Sequence, residues 1–444
     1  MRLRSRTHRA ADGQLAGTGI ADALLRLLEM VLAAEPTVRV RAWDGSEAGP
    51  AEAPAVDVRS PDAVRYVAQE PNELGLARAY VSGSIDFEGD VYEILRALPF
   101  HDDQHQHART LTARQKAELA TVVARTAGVG RAPAPPPEEA VVSGRRHSKD
   151  RDRTVVTHHY DVGNDFYRIV LGESMVYSCA YWRAADDPSY GLADAQRDKL
   201  DLVCRKLGLH RPGPHRLLDV GCGWGSLLLH AATTYDVTGV GVTLSEPQAR
   251  LARERLAAAG LADQVEVRVQ DYRDIDDGPY DVISSIGMAE HVGEVAYTTY
   301  AAQLLGLLTP GGRLLNHQIS RRPGPKRDGT SFIEAYVFPD GELLPLATTV
   351  GLLELVGFEV RDVEALREHY ALTLRAWVRN LEAEWDRAVE LSSQGRARVW
   401  RLYMAGSALA FERNRIGVNQ VLAVRPGAMG VSRMPATRDW LAGT

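Results

Sequence analysis

The stretch "LLDVGCGWGS", Leu217 to Ser226, sets three glycines, Gly221, Gly223 and Gly225, directly between an apolar run and a helical pattern. Such a run is a buried strand, and glycine lets the chain turn sharply at its end and bring a ligand against the backbone. Outward from it, "RLLDVG", "VTGVGV", "VEVRVQ", "YDVISSI" and "GRLLNHQIS" read as short strands, separated by helices such as "EPQARLARERLAAAG". Strands alternating with helices predict a doubly wound, Rossmann-like α/β domain whose parallel sheet is covered on both faces. "FEVRDV" and "NQVLAV" add two later strands. Between them Leu374, Trp377, Val378, Leu381 and Trp385, continued by Trp400, Tyr403 and Met404, follow helical spacing. That stripe is either core or an apolar roof over a cleft.

The glycine spacing is G-x-G-x-G, one residue short of the dinucleotide fingerprint. About twenty residues on, where an acid would bind ribose, the chain reads "GVTLSEPQ". Without that acid, a smaller cationic nucleoside such as S-adenosylmethionine fits better than a pyrophosphate-bearing cofactor. Thr243, Ser245 and Gln248 offer it polar contacts. Asp271, in "QDYRDI", ends the next strand, where it can accept a hydrogen bond from an adenine amino group.

At 444 residues the chain exceeds the size of a single hydrophobic core, so two unequal domains are expected. Leu24, Leu27, Leu28 and Val31 mark an amphipathic helix between about 18 and 34, and "VRVRAW" alternates like a strand. With residues 60 to 125 these make a small N-terminal domain, 1–127. The Pro- and Gly-rich "GVGRAPAPPPEEA" then opens a linker, 128–152. Its end carries Arg145, Arg146, Lys149, Arg151 and Arg153, read as a solvated linker end or as a contact for anionic headgroups. The main domain follows over 153–428, with a tail at 429–444.

Hydrophobic residues at 45% and charged residues at 25% are those of an ordinary globular protein, with no run long enough to span a bilayer. A net charge of −6 argues against nucleic acid as the main partner. Three scattered cysteines, Cys179, Cys204 and Cys222, fit neither a disulfide framework nor a zinc site, and no metal is expected. The basic start "MRLRSRTHRAADG" is followed by Asp22, Arg26 and Glu29, which would interrupt a signal peptide. A cytoplasmic, unexported chain is expected.

Seven ordered segments carry a family resemblance: "HHYDVGNDFY", "MVYSCAYW", "DVGCGWGS", "GVTLSEPQ", "QDYRDI", "SIGMAEHVG" and "HYALTLRAW". Over about 154 to 425 the chain resembles the cyclopropane-fatty-acyl-phospholipid synthase family. The resemblance implies a class I methyltransferase domain with helical insertions and a smaller α+β N-terminal domain for lipid or partner-domain contacts. It implies S-adenosylmethionine-dependent attack of a cis alkene, in an unsaturated phospholipid acyl chain, on the activated methyl group. A bicarbonate ion would take the proton lost from the cationic intermediate. By motif its holders fall on Cys179, Glu290, His317, the Ile319 amide and Tyr370. Cofactor contacts fall on Tyr160, Ser178, Gly221, Gly223, Thr243, Gln248 and Asp271, with Gly225 and Ser245 completing the loop and strand end. Peripheral contact with the inner face of the membrane and a homodimer are the partners this reading allows.

The chemistry explains these residue types. A carbocation needs a dry, weakly nucleophilic chamber, and the ring faces of Tyr177, Tyr181, Trp182 and Tyr370 can stabilise it without bonding. Cys179 would serve as a neutral thiol donor, because a thiolate would repel the anion and compete for the methyl group. Ala289, where many cyclopropane-forming relatives carry a bulky aromatic, leaves open a methyl- or methylene-branched product, and "NHQIS" and "YVFPDGEL" also resemble branch-forming relatives. A methyltransferase for a small metabolite and a non-catalytic lipid-binding protein stand as more distant alternatives.

Overall fold

The computed structural model describes residues 14–15, 19–32, 34–98, 112–127, 133–160, 162–324 and 330–438, without the side chains of 14, 15, 118 and 156–160. The basic start, the first residues of the expected linker and the Tyr160 side chain therefore lie outside the described residues. The chain divides into two compact units.

The first unit holds residues up to 139 with segments 326–332 and 394–402. Its strands are β1 (Gln14–Leu15), β2 (Arg39–Ala42), β3 (Glu47–Pro50), β4 (Ala55–Val58) and β5 (Ile85–Glu88), in the order β1-β3-β2-β4-β5. The helix Ile20–Leu32 buries Leu24, Leu27 and Leu28 in a core with Val38, Val40, Val56 and Val58, while Val31 is only half buried. In this unit the Arg398 guanidinium donates to the Tyr80 and Ile85 carbonyls and to Asp86, satisfying a buried cation with three acceptors.

The second unit is built on seven strands: β6 (His215–Val220), β7 (Val237–Thr243), β8 (Val265–Val269), β9 (Tyr280–Ile286), β10 (Leu308–Arg321), β11 (Glu359–Ala365) and β12 (Ile416–Val424). They lie in the order β11-β12-β10-β9-β6-β7-β8. The run β10-β9-β6-β7-β8 is parallel, as the alternation of strands and helices requires. Of the two later strands, β12 runs antiparallel to both β10 and β11. The helical insertion after β11 leaves and returns at the carboxyl end of that strand, so the next strand has to run back. One apolar layer packs beneath the sheet around Leu217, Leu228, Val282 and Leu315, and another covers the opposite face around Leu218, Ile283, Tyr300 and Leu314. The insertion helix Arg367–Ala383 buries Leu374, Trp377, Val378 and Leu381, so the stripe is core-forming.

Of the basic residues at the end of the expected linker, Arg145, Arg146, Lys149 and Arg153 are exposed, while Arg151 is largely covered. A helix begins at Lys149, and Arg146 and Arg151 both bind the Asp340 carboxylate, a nearly buried acid that would otherwise lack a counter-charge.

Gly241 on β7 sits where a side chain has no room: a Cβ there would lie 2.5 Å from Leu228 Cδ1 and 2.9 Å from Cys222 Sγ. Gly241→Ala is expected to lower unfolding free energy by about 1–3 kcal/mol through overpacking, read as a lower denaturant midpoint with unchanged slope.

Candidate active site

The glycine turn forms because β6 ends at Val220 and only five residues separate it from the helix Ser226–Thr234. Gly221, Gly223 and Gly225 adopt φ of +79°, +53° and +75°, a region that L side chains rarely enter. The turn opens on a cavity over the carboxyl ends of β6, β7 and β9. Ser178, Gly221, Gly223, Thr243, Gln248 and Asp271, all expected cofactor contacts, line it together. A Cβ at Gly223 would meet no atom within 4 Å, so the backbone there faces open space that a ligand can enter.

Two expected contacts stand apart from the lining. Gly225 faces Ala252, 3.0 Å from where its Cβ would be, and so lets two helices approach. Ser245 caps the helix Glu246–Ala258, its hydroxyl accepting from the Gln248 amide, and the Thr243 hydroxyl donates to Gln248 Oε1 at 2.8 Å. Asp271 is held in place by Arg273, which donates from Nε at 2.7 Å and Nη2 at 2.6 Å and lowers the carboxyl's pKa against the effect of burial. The same guanidinium reaches Asp152 at 2.9 Å, tying the helix Lys149–Tyr160 to the rim of the cavity.

The second set of expected residues is linked through the sheet. Strand β10 runs past the end of β9, whose last partner pair is His317 with Ile286. The amide of Ile319 therefore has no ladder acceptor on that side, and Glu290 Oε1 accepts from it at 2.7 Å. Ile319 pairs with Val418, whose carbonyl accepts from the Leu366 amide at 2.8 Å. The Leu366 carbonyl in turn accepts from the Tyr370 amide at 3.1 Å and from the Cys179 thiol at 3.6 Å. Glu290 thus binds the Ile319 amide, while Tyr370 and Cys179 share the Leu366 carbonyl, and the two sets face each other across the Ile319–Val418 register pair. His317 lies two residues before Ile319 on the same strand face, and its Nδ1 meets Gln420 Nε2 at 3.3 Å.

Burial governs the protonation of this set. It raises Cys179 well above its ordinary range, so the thiol stays neutral. It raises Glu290 to about 7, although the Ile319 amide pulls the other way. It lowers His317 to about 3, leaving a neutral imidazole. With the Gln420 amide donating to Nδ1, the His317 proton resides on Nε2. That Nε2 and Glu290 Oε2 are both buried without a hydrogen-bond partner, which makes one donor and one titratable oxygen available to a guest.

The aromatic candidates divide. Tyr177 lines the cavity, packs 5.4 Å from Trp377 and donates to Tyr403 at 3.1 Å. Tyr370 meets Trp377 edge-on at 6.0 Å and Phe411 at 4.7 Å. Tyr181 stacks on His369, and the Trp182 indole donates to Thr373, so these two fasten their loop to the insertion helix.

Sequence reading passed over Gln196 and Lys199, which project from the helix Leu192–Leu207 under Ser178 and are almost wholly buried. Gln196 Nε2 donates to the Ser178 carbonyl at 2.9 Å and Lys199 Nζ to the Ser178 hydroxyl at 3.0 Å. Their signal was present: both lie at helical spacing with Leu200, Val203 and Leu207, polar residues inside an apolar stripe. Gln420 was likewise hidden in a strand read only for its pattern. Among the described residues, no cluster of His, Cys, Asp and Glu would hold a metal ion, and no helix is long and apolar enough to cross a membrane.

Comparison with known proteins places this geometry. The family model described as mycolic acid cyclopropane synthetase matches residues 147–421. A probable fatty acid methyltransferase of Mycobacterium tuberculosis is 41% identical, over 91% of this chain and 94% of its own. The cyclopropane-fatty-acyl-phospholipid synthase of Escherichia coli is 35% identical over 84% of this chain and 88% of its own. A solved mycolic acid cyclopropane synthase, in complex with SAH and CTAB, superposes with a TM-score of 0.57 at 33% identity, covering 61% of this chain and 97% of that one. Since the matched region is the one that carries the glycine turn, Glu290, His317 and Tyr370, the chain belongs to the mycolic acid cyclopropane synthetase family and is a methyltransferase of that family.

Proposed function

We propose that the protein uses S-adenosylmethionine to alkylate the cis double bond of unsaturated acyl chains in phospholipids, closing a cyclopropane ring, with bicarbonate as the base. The observation that carries this reading is the pair of buried atoms, Glu290 Oε2 and His317 Nε2, which have no hydrogen-bond partner among the described residues and lie where the Ile319 amide binds Glu290. The cofactor would supply an electrophilic methyl group on sulfur, and the anion a weak base that no flexible carboxylate need deliver. Both fit what is present: an open glycine face for the first, and orphaned polar atoms for the second.

The protein's own groups have separate tasks in this scheme. Ser178, Gly221, Gly223, Thr243, Gln248 and Asp271 bind and orient the nucleoside, together with Tyr160. The rings of Tyr177 and Tyr370 face positive charge on the substrate with weakly basic π clouds and help to exclude water. His317 donates from Nε2, and Cys179 donates as a thiol, exchanging the weak bonds it now makes to the Ala180 and Leu366 carbonyls. The Ile319 amide, here bound by Glu290, is either shared with the anion or handed to it. Work at a phospholipid surface would bring the protein into peripheral contact with the inner face of the membrane.

Ala289 supports a second reading. It is small and buried beside Glu290, where a bulky ring would restrict the space around the substrate. The relative at 41% identity is named a fatty acid methyltransferase, and a tuberculostearic acid methyltransferase of Mycobacterium tuberculosis is 37% identical over 63% of this chain. Proton loss from a different carbon of the same cation would then leave a mid-chain methyl or methylene branch.

Three measurements test these statements. Mass and NMR analysis of lipids, from cells making the protein and supplied with unsaturated acyl chains, should reveal a cyclopropane; a branched chain selects the second reading, and unaltered lipids reject both. Cys179→Ser should fold and keep its affinity for S-adenosylhomocysteine while product formation slows about 10²-fold. A stable alkyl or acyl adduct trapped on Cys179 would contradict a donor role.

Glu290→Gln tests the buried carboxyl through stability. A folded-state pKa raised from 4.5 to about 7 means that the wild type loses stability as pH rises through that interval. Tyr297 and Tyr300, the titratable groups that feel Glu290, remain neutral over the same range. The variant's advantage in denaturant unfolding should therefore grow by about 2–3 kcal/mol between pH 5 and pH 8. A constant difference would mean that Glu290 is ionised throughout.

A further inference from the structure

Lys199 is a buried ammonium that the scheme above leaves without a task. It lines the cofactor cavity at 1% exposure, and its one hydrogen bond goes to the Ser178 hydroxyl at 3.0 Å. Among the described residues no carboxylate lies within 4.0 Å of Nζ. The other strong cations nearby are spent: Arg273 binds Asp271 and Asp152, and Lys206 binds Glu364 at 2.5 Å and Asp362 at 3.5 Å. Asp219, on β6, is the acid that Lys199 feels, but its carboxylate accepts from Ser284 instead.

A buried, unpaired charge is costly, so its retention calls for a partner that is present only in the working enzyme. The location of the charge identifies the chemistry of that partner. Lys199 lies beneath Ser178, next in the chain to Cys179, and its field reaches both the Cys179 thiol and the His317 ring. Neither of those groups feels an acid. The donors that converge on the proposed anion site are neutral, and neutral donors alone repay poorly the removal of an anion from water.

We propose that Lys199 is a positioning residue that supplies the positive charge holding a small oxyanion of the bicarbonate type beside Cys179 and His317, acting through Ser178 and the buried field. This rests on the anion reading of the same site. Burial lowers the Lys199 pKa to about 8, so the ammonium is still mostly charged at neutral pH. Cys179 and Cys204 stay neutral through burial, and Asp219, raised to about 6, is mostly ionised there.

The test is titration of ¹³C-labelled bicarbonate, followed by NMR, into wild-type and Lys199→Met protein with S-adenosylhomocysteine bound. The variant should bind bicarbonate about ten-fold more weakly or worse, the loss expected of one charge interaction in a partly screened interior. Its affinity for S-adenosylhomocysteine, by calorimetry, should change little, and its melting temperature should be no lower, since a buried charge has been removed. Lys199→Gln, which keeps a donor for Ser178 without the charge, should behave like the methionine variant. Unchanged bicarbonate affinity in either variant overturns the proposal. So does recovery of affinity in Lys199→Gln alone, a primary loss of cofactor binding, or a variant that cannot fold. Absence of bicarbonate binding by the wild type would instead remove the anion reading itself, and this inference with it.

Discussion

The site depends on a mismatch of strand lengths. Strand β10 has fourteen residues and its parallel neighbour β9 has seven, so β10 continues alone on that side after His317. A strand edge inside a protein must find partners for its amides, and here Glu290 provides one by folding back from the turn after β9. The overrun thereby draws a carboxylate into the interior that no salt bridge would hold there. It also sets His317 and Ile319 on one strand face, with Gln420 opposite His317 in the neighbouring strand. A shorter β10 would leave Glu290 in solvent and His317 at a frayed end.

The electrostatic character of the site follows from that placement. Cys179, Glu290 and His317 have each been moved toward the neutral form chiefly by burial, with Lys199 and Lys206 adding to the shift at His317. A neutral thiol and a neutral carboxyl attack an electrophilic methyl group weakly, and the ring lone pair of His317, on Nδ1, is engaged by Gln420. Such an environment suits a reaction whose intermediate is destroyed by ordinary bases. A carboxyl poised near neutrality also differs from the acids at the cavity rim, where Asp271, Asp152 and Asp340 are all engaged by arginines. The rim is thus fastened by ion pairs, whereas Lys199 is a buried cation with no carboxylate within 4.0 Å among the described residues.

Much of the fold was legible because the strands from β6 to β12 are short apolar runs between strong helix signals, and the glycine turn fixed where the ligand cavity had to open. The antiparallel entry of β12 was not legible, since periodicity reports which face is buried and not which way a strand runs. Site residues at strand ends, such as Thr243 and Asp271, could be found by position alone. Cys179, Glu290 and Tyr370 could not: Glu290 binds the Ile319 amide, Cys179 and Tyr370 share the Leu366 carbonyl, and nothing local in the sequence marks those contacts. Ser245 and Gly225 illustrate the opposite case. Residues suited to a ligand were consumed by a helix cap and by close helix packing, tasks for which serine and glycine are equally suited.

Among the described residues, buried polar atoms without a hydrogen-bond partner occur in both units, Arg39 Nε, Arg65 Nε and His230 Nε2 among them. Four more, Gln196 Oε1, Glu290 Oε2, His317 Nε2 and Gln420 Oε1, belong to the expected anion set or to side chains that touch it or the Val176–Cys179 segment. Each such atom costs about 1–3 kcal/mol of desolvation that folding does not recover. A chain selected only for stability would have replaced them with apolar residues, as it has done over the faces packed around Leu228 and Tyr300. In the second unit these four atoms interrupt the apolar core beside the segment that carries Ser178, a residue of the cavity lining, and they are the groups that the proposed anion would satisfy.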